Sequence, residues 1–263
     1  MKAKKKRVIP GFGLSMGVTI TILSLVVLIP LAALVIYTSR MHLSDIIETI
    51  TRPRVLASFK VTFLTSLIAS IINSIMGVIL AWVLVRYEFP GKRILDGCIE
   101  LPFALPTAVA GITLSKLYSD TGFFGKGLSK LGINVAYTQA GIIMALVFVG
   151  LPFVIRAVQP ILEKMDGQYE EAAFMLGASP RKTFFKVILP ELKPALLTGF
   201  GLAFARGIGE YGSVIYISGN SAKNRTQVVS YVIMQKLSYI DYESATALSL
   251  IHISEPTRLD VIS

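Results

Sequence analysis

Long apolar runs recur along this chain, and they limit it to a structure that lies in a membrane. A helix needs ~20 predominantly apolar residues to cross the hydrocarbon core of a bilayer. Short segments rich in lysine and arginine separate the runs. The predicted spans are residues 14–37, 61–85, 98–117, 139–158 and 194–217. We therefore predict an all-α fold, a polytopic bundle of membrane helices.

Composition agrees with this prediction and excludes several classes of protein. Hydrophobic residues make up 53% of the chain and charged residues only 16%, which is far from the balance of a soluble domain. The net charge of +10 does not indicate a nucleic-acid partner, because the basic residues cluster at the ends of apolar runs. The single cysteine, Cys98, excludes a disulfide within the chain and a cysteine metal site.

The basic N-terminal segment, residues 1–13, sets the expected orientation. The apolar run that follows it is longer than that of a signal peptide and lacks an Ala-x-Ala cleavage site. If the spans alternate from a cytoplasmic N-terminus, fourteen lysine and arginine residues lie on the cytoplasmic side and ten on the other. This bias has the sign of the positive-inside rule, so we expect the N-terminus in the cytoplasm.

A polar and basic segment, residues 167–190, separates the last two apolar runs. A first helix over residues 168–176 is expected to end at Gly177, because glycine takes the left-handed conformation at low cost. Ser179 can cap a second helix, and Pro180 suits its first turn. We predict a helix-turn-helix outside the bilayer, whose second helix has an apolar side and a cationic side.

Several residues of this segment stand at a distinctive spacing: Glu171, Ala172, Ala173, Gly177, Val187, Leu189 and Pro190. At these offsets they resemble the EAA loop of permease subunits of bacterial ABC importers. The resemblance implies that residues 160–190 hold a cytoplasmic coupling helix, with Ser179 and Pro180 in its turn, that docks in a groove of a partner ATPase. A compact face of two alanines would allow close approach, and Glu171 would offer a carboxylate. The alternative is an amphipathic hairpin resting on the lipid surface.

The third apolar run contains Pro102 and Pro106. Proline in a membrane helix frees backbone carbonyl groups, which is tolerable where the helix lines a cavity or packs on a neighbour. We expect a kinked helix that lines a translocation path, and a kinked structural helix is the alternative.

The fifth run carries two opposite charges, Arg206 and Glu210. They are four residues apart, so on a helix they share one face and can pair. Charges at membrane depth are costly unless they are paired or face water. Three roles stay open: a structural ion pair, a gate that changes during transport, or contact of Arg206 with an anionic substrate.

Most of the chain, residues 7–220, is similar to the membrane subunit of sulfate/thiosulfate ABC importers of type I, with molybdate permeases as relatives. The similarity rests on three segments: VIPGFG at residues 8–13, LPFALPTAVAG at 101–111 and FARGIGEYG at 204–212. It implies an ABC importer transmembrane domain over residues 14–247 in the bacterial inner membrane. The alternatives are a molybdate or tungstate permease and, in another class, a passive anion channel or carrier.

The same resemblance implies the partners of the chain. They would be a second permease subunit, two ATPase subunits that bind ATP and magnesium, a periplasmic sulfate/thiosulfate-binding protein and membrane lipid. The sequence offers no phosphate-binding glycine loop, no nucleophile and base, and no metal-ligand cluster. We therefore expect a non-catalytic subunit with no catalytic residue, metal or cofactor of its own.

The C-terminal residues do not fit the rest of the chain. A permease of this kind would be expected to end with a sixth span, which is missing here. Residues 248–258, LSLIHISEPTR, match what a transposase-type sequencing adapter encodes. We expect residues 248–263 to be a non-native tail, which an independent reading of the gene would test. His252 is accordingly given no role.

Overall fold

The computed structural model describes residues 12–165 and 167–257, and all regular structure within them is helical, as predicted. The basic N-terminal segment lies outside these residues, apart from its last two positions. The helices of the described residues are α1 Phe12–Thr38, α2 Leu43–Thr51, α3 Pro53–Arg86, α4 Lys92–Ala104, α5 Thr107–Tyr118, α6 Gly125–Lys130, α7 Gln139–Lys164, α8 Gln168–Met175, α9 Pro180–Ile208, α10 Gly212–Ile217, α11 Val229–Ser238 and α12 Tyr242–Thr257.

Four helices of the described residues, α1, α3, α7 and α9, are long and apolar enough to cross a membrane. The pair α4 and α5 brings the number to five if it forms one bent span, in agreement with the sequence. In α1, the apolar window that could cross a membrane has no buried residue, and the C-terminal half of this helix contacts α12.

The core lies where α3, α7 and α9 pack together. Its buried residues include Ala81, Val154 and Leu192, one from each helix. Glycines let these helices approach closely: a Cβ added to Gly77 of α3 would lie 2.6 Å from the Val154 side chain, and one added to Gly199 of α9 would lie 2.8 Å from its Cα. Small residues at such crossings are typical of membrane helices. The hydrophobic effect does not drive helices together in lipid, so close van der Waals packing stabilises their association instead.

Two helices widen into a π-helical turn that ends two residues before a proline. The turns are Ser24–Leu28 in α1 and Phe184–Ile188 in α9, and they precede Pro30 and Pro190. Proline lacks the N–H group that would close the α-helical ladder and its ring crowds the preceding turn. A π-turn shifts the hydrogen bonds by one residue, so the helix continues instead of breaking.

The second half of the polar segment differs from the sequence prediction. It does not form a separate short helix, because α9 runs without interruption from Pro180 to Ile208. Leu189 and Pro190 therefore lie inside a membrane helix and not at the end of a loop. The expected boundary before residue 194 is wrong, since the π-turn accommodates Pro190.

The third and fifth spans are both broken. The predicted helix over 98–117 is two helices, α4 and α5, bent by 115° across Leu105 and Pro106. The predicted helix over 194–217 ends at Ile208 and resumes as α10. Pro102 does not break α4, so a simple proline kink does not describe this region.

The helix α12 covers part of the segment expected to be non-native. It has 16 residues and includes Pro256.

Candidate functional site

The loop between α7 and α9 contains α8, whose C-terminal end has the geometry expected from the sequence. Gly177 has a φ of +75°. Its N–H donates to the Phe174 carbonyl at 2.9 Å, and the Ala178 N–H donates to the Ala173 carbonyl at 3.0 Å. These two bonds form a Schellman motif, which satisfies carbonyl groups left free at a helix end.

The next helix, α9, begins at Pro180, again as expected. The Lys182 N–H donates to the Ser179 side-chain oxygen at 3.4 Å, and Pro180 occupies the first turn. The predicted turn from Gly177 to Pro180 is confirmed. The direction in which α8 leaves α9 is therefore fixed by hydrogen bonds within the loop.

Replacing Gly177 with alanine should loosen this turn. A residue with a side chain costs about 1–2 kcal/mol in the left-handed conformation, so the Ala178 amide should exchange with solvent roughly 5- to 30-fold faster. Hydrogen-exchange mass spectrometry of the loop measures this. Gly167→Ala is the matched control, because Gly167 begins the same helix with a φ of −57° and open space around it. Equal exchange in both variants would contradict the assignment.

The side chains of α8 point in directions that the sequence did not distinguish. Glu171 and Ala172 are exposed, whereas Ala173 is buried. The expected face of two alanines is therefore wrong, since only one of them is accessible. The exposed surface continues instead through Phe174, Met175 and Leu176, which are 72%, 84% and 88% exposed.

Sequence reasoning missed a second acidic residue of this helix. Glu170 is half-buried and accepts a hydrogen bond of 2.6 Å from Arg86, the last residue of α3. The guanidinium carbon of Arg86 lies 5.6 Å from the centre of the Trp82 ring. An open cleft of about 550 Å³ lies beside this contact, between α3, α8 and the start of α9. The sequence shows a basic residue, Arg86, just before the loop at residues 87–91. It does not show that the partner of Arg86 is Glu170, 84 residues later.

The predicted pairing of Arg206 with Glu210 is confirmed. An Arg206 guanidinium nitrogen lies 2.6 Å from a Glu210 carboxylate oxygen, with the Glu210 side chain 1% exposed and that of Arg206 37% exposed. The other carboxylate oxygen accepts two bonds from Ser213, from its N–H at 2.8 Å and from its hydroxyl at 2.9 Å. The carboxylate therefore joins the end of α9 to the first turn of α10.

The broken ends of the third and fifth spans meet. A Cβ added to Gly111 of α5 would lie 2.3 Å from the Ser213 carbonyl oxygen, and one added to Gly212 of α10 would lie 2.1 Å from the Thr107 hydroxyl. Pro106 is exposed and directly precedes Thr107, the residue of α5 that contacts Gly212, so it lies next to this crossing. Pro102 lies apart from this crossing, inside α4.

A second ion-pair network, which the sequence did not indicate, holds α4. Arg156 of α7 lies 2.9 Å from Asp96 and 2.7 Å from Glu100. All three side chains are partly exposed. Charges within membrane-spanning helices usually pair with one another or face water. This side of α4 is therefore suited to an aqueous cavity or a protein partner and not to lipid.

The described part of the chain contains no group of three His, Cys, Asp or Glu residues that could hold a metal ion. The geometry defines a bundle of apolar helices with an apolar-tipped loop and two broken spans packed on each other.

Comparison with known proteins gives the class. Residues 73–254 match the family described as the binding-protein-dependent transport system inner membrane component. This match covers more than half of the chain, so the chain belongs to that family and is a multi-pass membrane protein.

Individual relatives narrow the assignment to one kind of permease. The chain is 48% identical over 244 residues to the sulfate transport system permease protein CysT of Escherichia coli (strain K12), which covers 93% of this chain and 88% of that protein. It is 47% identical over 249 residues to the protein of the same name from Salmonella typhimurium, with 95% and 90% covered. The resemblance to sulfate permeases is thereby confirmed.

Solved structures give the fold. A bacterial ABC transporter involved in the import of the acidic polysaccharide alginate aligns with a TM-score of 0.79 at 14% identity, covering 96% of this chain and 93% of that chain. The same kind of transporter in complex with its alginate pentasaccharide-bound periplasmic protein aligns with a TM-score of 0.77 at 15% identity, covering 94% and 91%. The expected type I permease fold is confirmed.

Proposed function

We propose that this chain is the membrane-spanning permease subunit of an ATP-driven sulfate importer, with its N-terminus in the cytoplasm. The observation that carries the proposal is the 48% identity, over 93% of the chain, to a sulfate transport permease. The fold and the exposed coupling loop support the same conclusion. A passive channel or carrier would have no use for such a loop.

The energy for transport comes from a separate ATPase in this proposal. α8 docks in a groove of that ATPase through Glu171 and the apolar tip formed by Phe174, Met175 and Leu176, with Gly177 and Ser179 fixing its direction. Closure of an ATPase dimer on ATP then moves two coupling helices together, one from this chain and one from a second permease subunit. This rigid-body motion switches the path between inward-facing and outward-facing states.

In this proposal, the two broken spans line the translocation path. Broken membrane helices are tolerated where backbone groups face a cavity or are buried in protein, and free N–H groups at helix ends suit a tetrahedral dianion. Of the three roles considered for Arg206 and Glu210, the structural ion pair is best supported, because Glu210 is buried and bonded to three donor groups. A periplasmic binding protein supplies selectivity, so the path itself needs only low affinity.

Reconstitution tests this function. The chain is assembled in proteoliposomes with a second permease subunit, the ATPase and the binding protein, and uptake of labelled sulfate is followed with and without ATP. We expect ATP-dependent sulfate uptake that excess thiosulfate inhibits. If the complex takes up molybdate or tungstate but not sulfate, the proposed substrate is wrong and the proposed mechanism still holds. ATP-independent flux would support the channel or carrier instead.

Replacing Glu171 with lysine should abolish uptake. Reversing an exposed charge at a docking surface is expected to cost roughly 2 kcal/mol or more of binding free energy, so little ATPase should copurify with the variant. Glu88→Lys is the control, because Glu88 is 88% exposed in the neighbouring loop that precedes α4. Normal ATPase binding by the Glu171 variant would contradict docking through this face.

A further inference from the structure

A half-buried ion pair ties the coupling helix to the transmembrane bundle. Glu170 of α8 and Arg86 of α3 lie 2.6 Å apart, with side chains 32% and 23% exposed. Glu170 thus faces the bundle while its neighbour Glu171 is exposed. Two adjacent acidic residues on one helix therefore have different surroundings.

Arg86 is held from several sides. It lies in the last turn of α3, where a positive charge interacts favourably with the helix dipole. Its guanidinium lies over the Trp82 ring, a geometry that favours cation–π attraction. Among the described residues its Nε is buried without a hydrogen-bond partner. Burial of a charged group is costly, so the position is stable only while the remaining contacts hold.

Trp82 extends the connection to a third helix. Its ring meets that of Phe184 edge to face, with centroids 5.7 Å apart. Phe184 is the first residue of the π-turn in α9, directly before the buried part of that helix. A continuous chain of contacts therefore runs from α8 through Arg86 and Trp82 to α3 and α9, two of the three helices of the core.

We propose that Arg86 and Glu170, supported by Trp82, form a strut that carries motion of the coupling helix into the transmembrane bundle. The proposal rests on the proposed function, because the strut matters only if an ATPase moves α8. α8 has eight residues and is joined to α9 by a turn at Gly177. The turn fixes how α8 joins α9, and the ion pair gives α8 a second attachment, to α3. A partner that pushes α8 therefore moves both helices. Arg86 and Glu170 are positioning residues, since neither touches the transported ion.

A double-mutant cycle tests the strut in the reconstituted complex of the full chain. The variants are Arg86→Gln, Glu170→Gln and both together, with Arg52→Gln as the control. Arg52 pairs with Glu48 at 3.0 Å, but that pair is exposed and lies at the C-terminal end of α2. Three quantities are measured per assembled complex: copurified ATPase, stimulation of ATP hydrolysis by the binding protein, and uptake.

Each single variant should lose stimulation and uptake about tenfold or more, a size typical of a broken coupling between sites, while the ATPase still copurifies. The double variant should be no worse than either single one, because both changes remove the same interaction. The control should stay within about twofold of wild type, as expected for an exposed pair.

Two results would overturn the strut. The first is normal stimulation and uptake per complex in the single variants Arg86→Gln and Glu170→Gln. Arg86 would then have a purely structural role. The other is a double variant whose loss equals the product of the single losses, since independent residues combine in this way. A complex that is stimulated but carries another oxyanion would refute only the substrate, because ATP hydrolysis still reports the strut. A wild-type complex without stimulation would refute both proposals.

Discussion

Replacing Glu210 with alanine is expected to destabilise the chain by about 3–5 kcal/mol, the usual cost of removing one partner of a buried ion pair. The change leaves Arg206 without its carboxylate and removes the acceptor for the N–H and hydroxyl of Ser213. The link between α9 and α10 is lost with them. The midpoint of thermal unfolding of the purified chain and the amount of folded protein in membranes measure the effect.

The chain contains a matched control for this prediction. Glu48 and Arg52 are also an acidic and a basic residue four positions apart, but their side chains are 70% and 49% exposed. Glu48→Ala should change stability by no more than about 1 kcal/mol. Similar losses in both variants would mean that burial of Glu210 does not determine its contribution.

Replacing Gly111 with alanine should destabilise the crossing of α5 and α10 by about 1–3 kcal/mol, as overpacking usually does. The added Cβ would lie 2.3 Å from the Ser213 carbonyl oxygen and 2.7 Å from its Cα. Both are backbone atoms, so no side-chain rotation relieves the clash. Thermal unfolding should show a lowered midpoint, and uptake should fall with it.

Gly97→Ala is the control and should act in the opposite direction. Gly97 lies within α4 and has no neighbouring atom within 4 Å of the new methyl group. Alanine is favoured over glycine inside a helix by up to about 1 kcal/mol. A lowered midpoint for Gly97→Ala, or an unchanged one for Gly111→Ala, would contradict the packing argument.

The sequence predicted the local features of the candidate site well. Three of these features depend only on residues within one helical turn. They are the end of α8 at Gly177, the cap at Ser179 and the first-turn position of Pro180. The pairing of Arg206 with Glu210 also follows from their separation of four residues, although Glu210 lies just beyond the end of α9. Such features need no knowledge of the rest of the fold, because the interacting groups are close neighbours along the chain.

The errors have both local and long-range causes. Leu189 and Pro190 were expected near the end of a loop, but a π-turn keeps α9 continuous through them. The alanines of α8 were expected to share an accessible face, yet Ala173 is buried. Glu170 was overlooked because its partner, Arg86, is 84 residues earlier in the chain.

By itself, the sequence determined that this chain is a helical membrane bundle with a capped, charged loop outside the lipid. The physical reason is that a backbone in hydrocarbon must satisfy its hydrogen bonds within each helix, so length, hydropathy and capping are local properties. Only the tertiary structure decided the 115° bend between α4 and α5, the glycine-mediated crossing of the two broken spans and the attachment of α8 to α3. These depend on how closely helices far apart in sequence approach one another, which spacing along one helix does not encode.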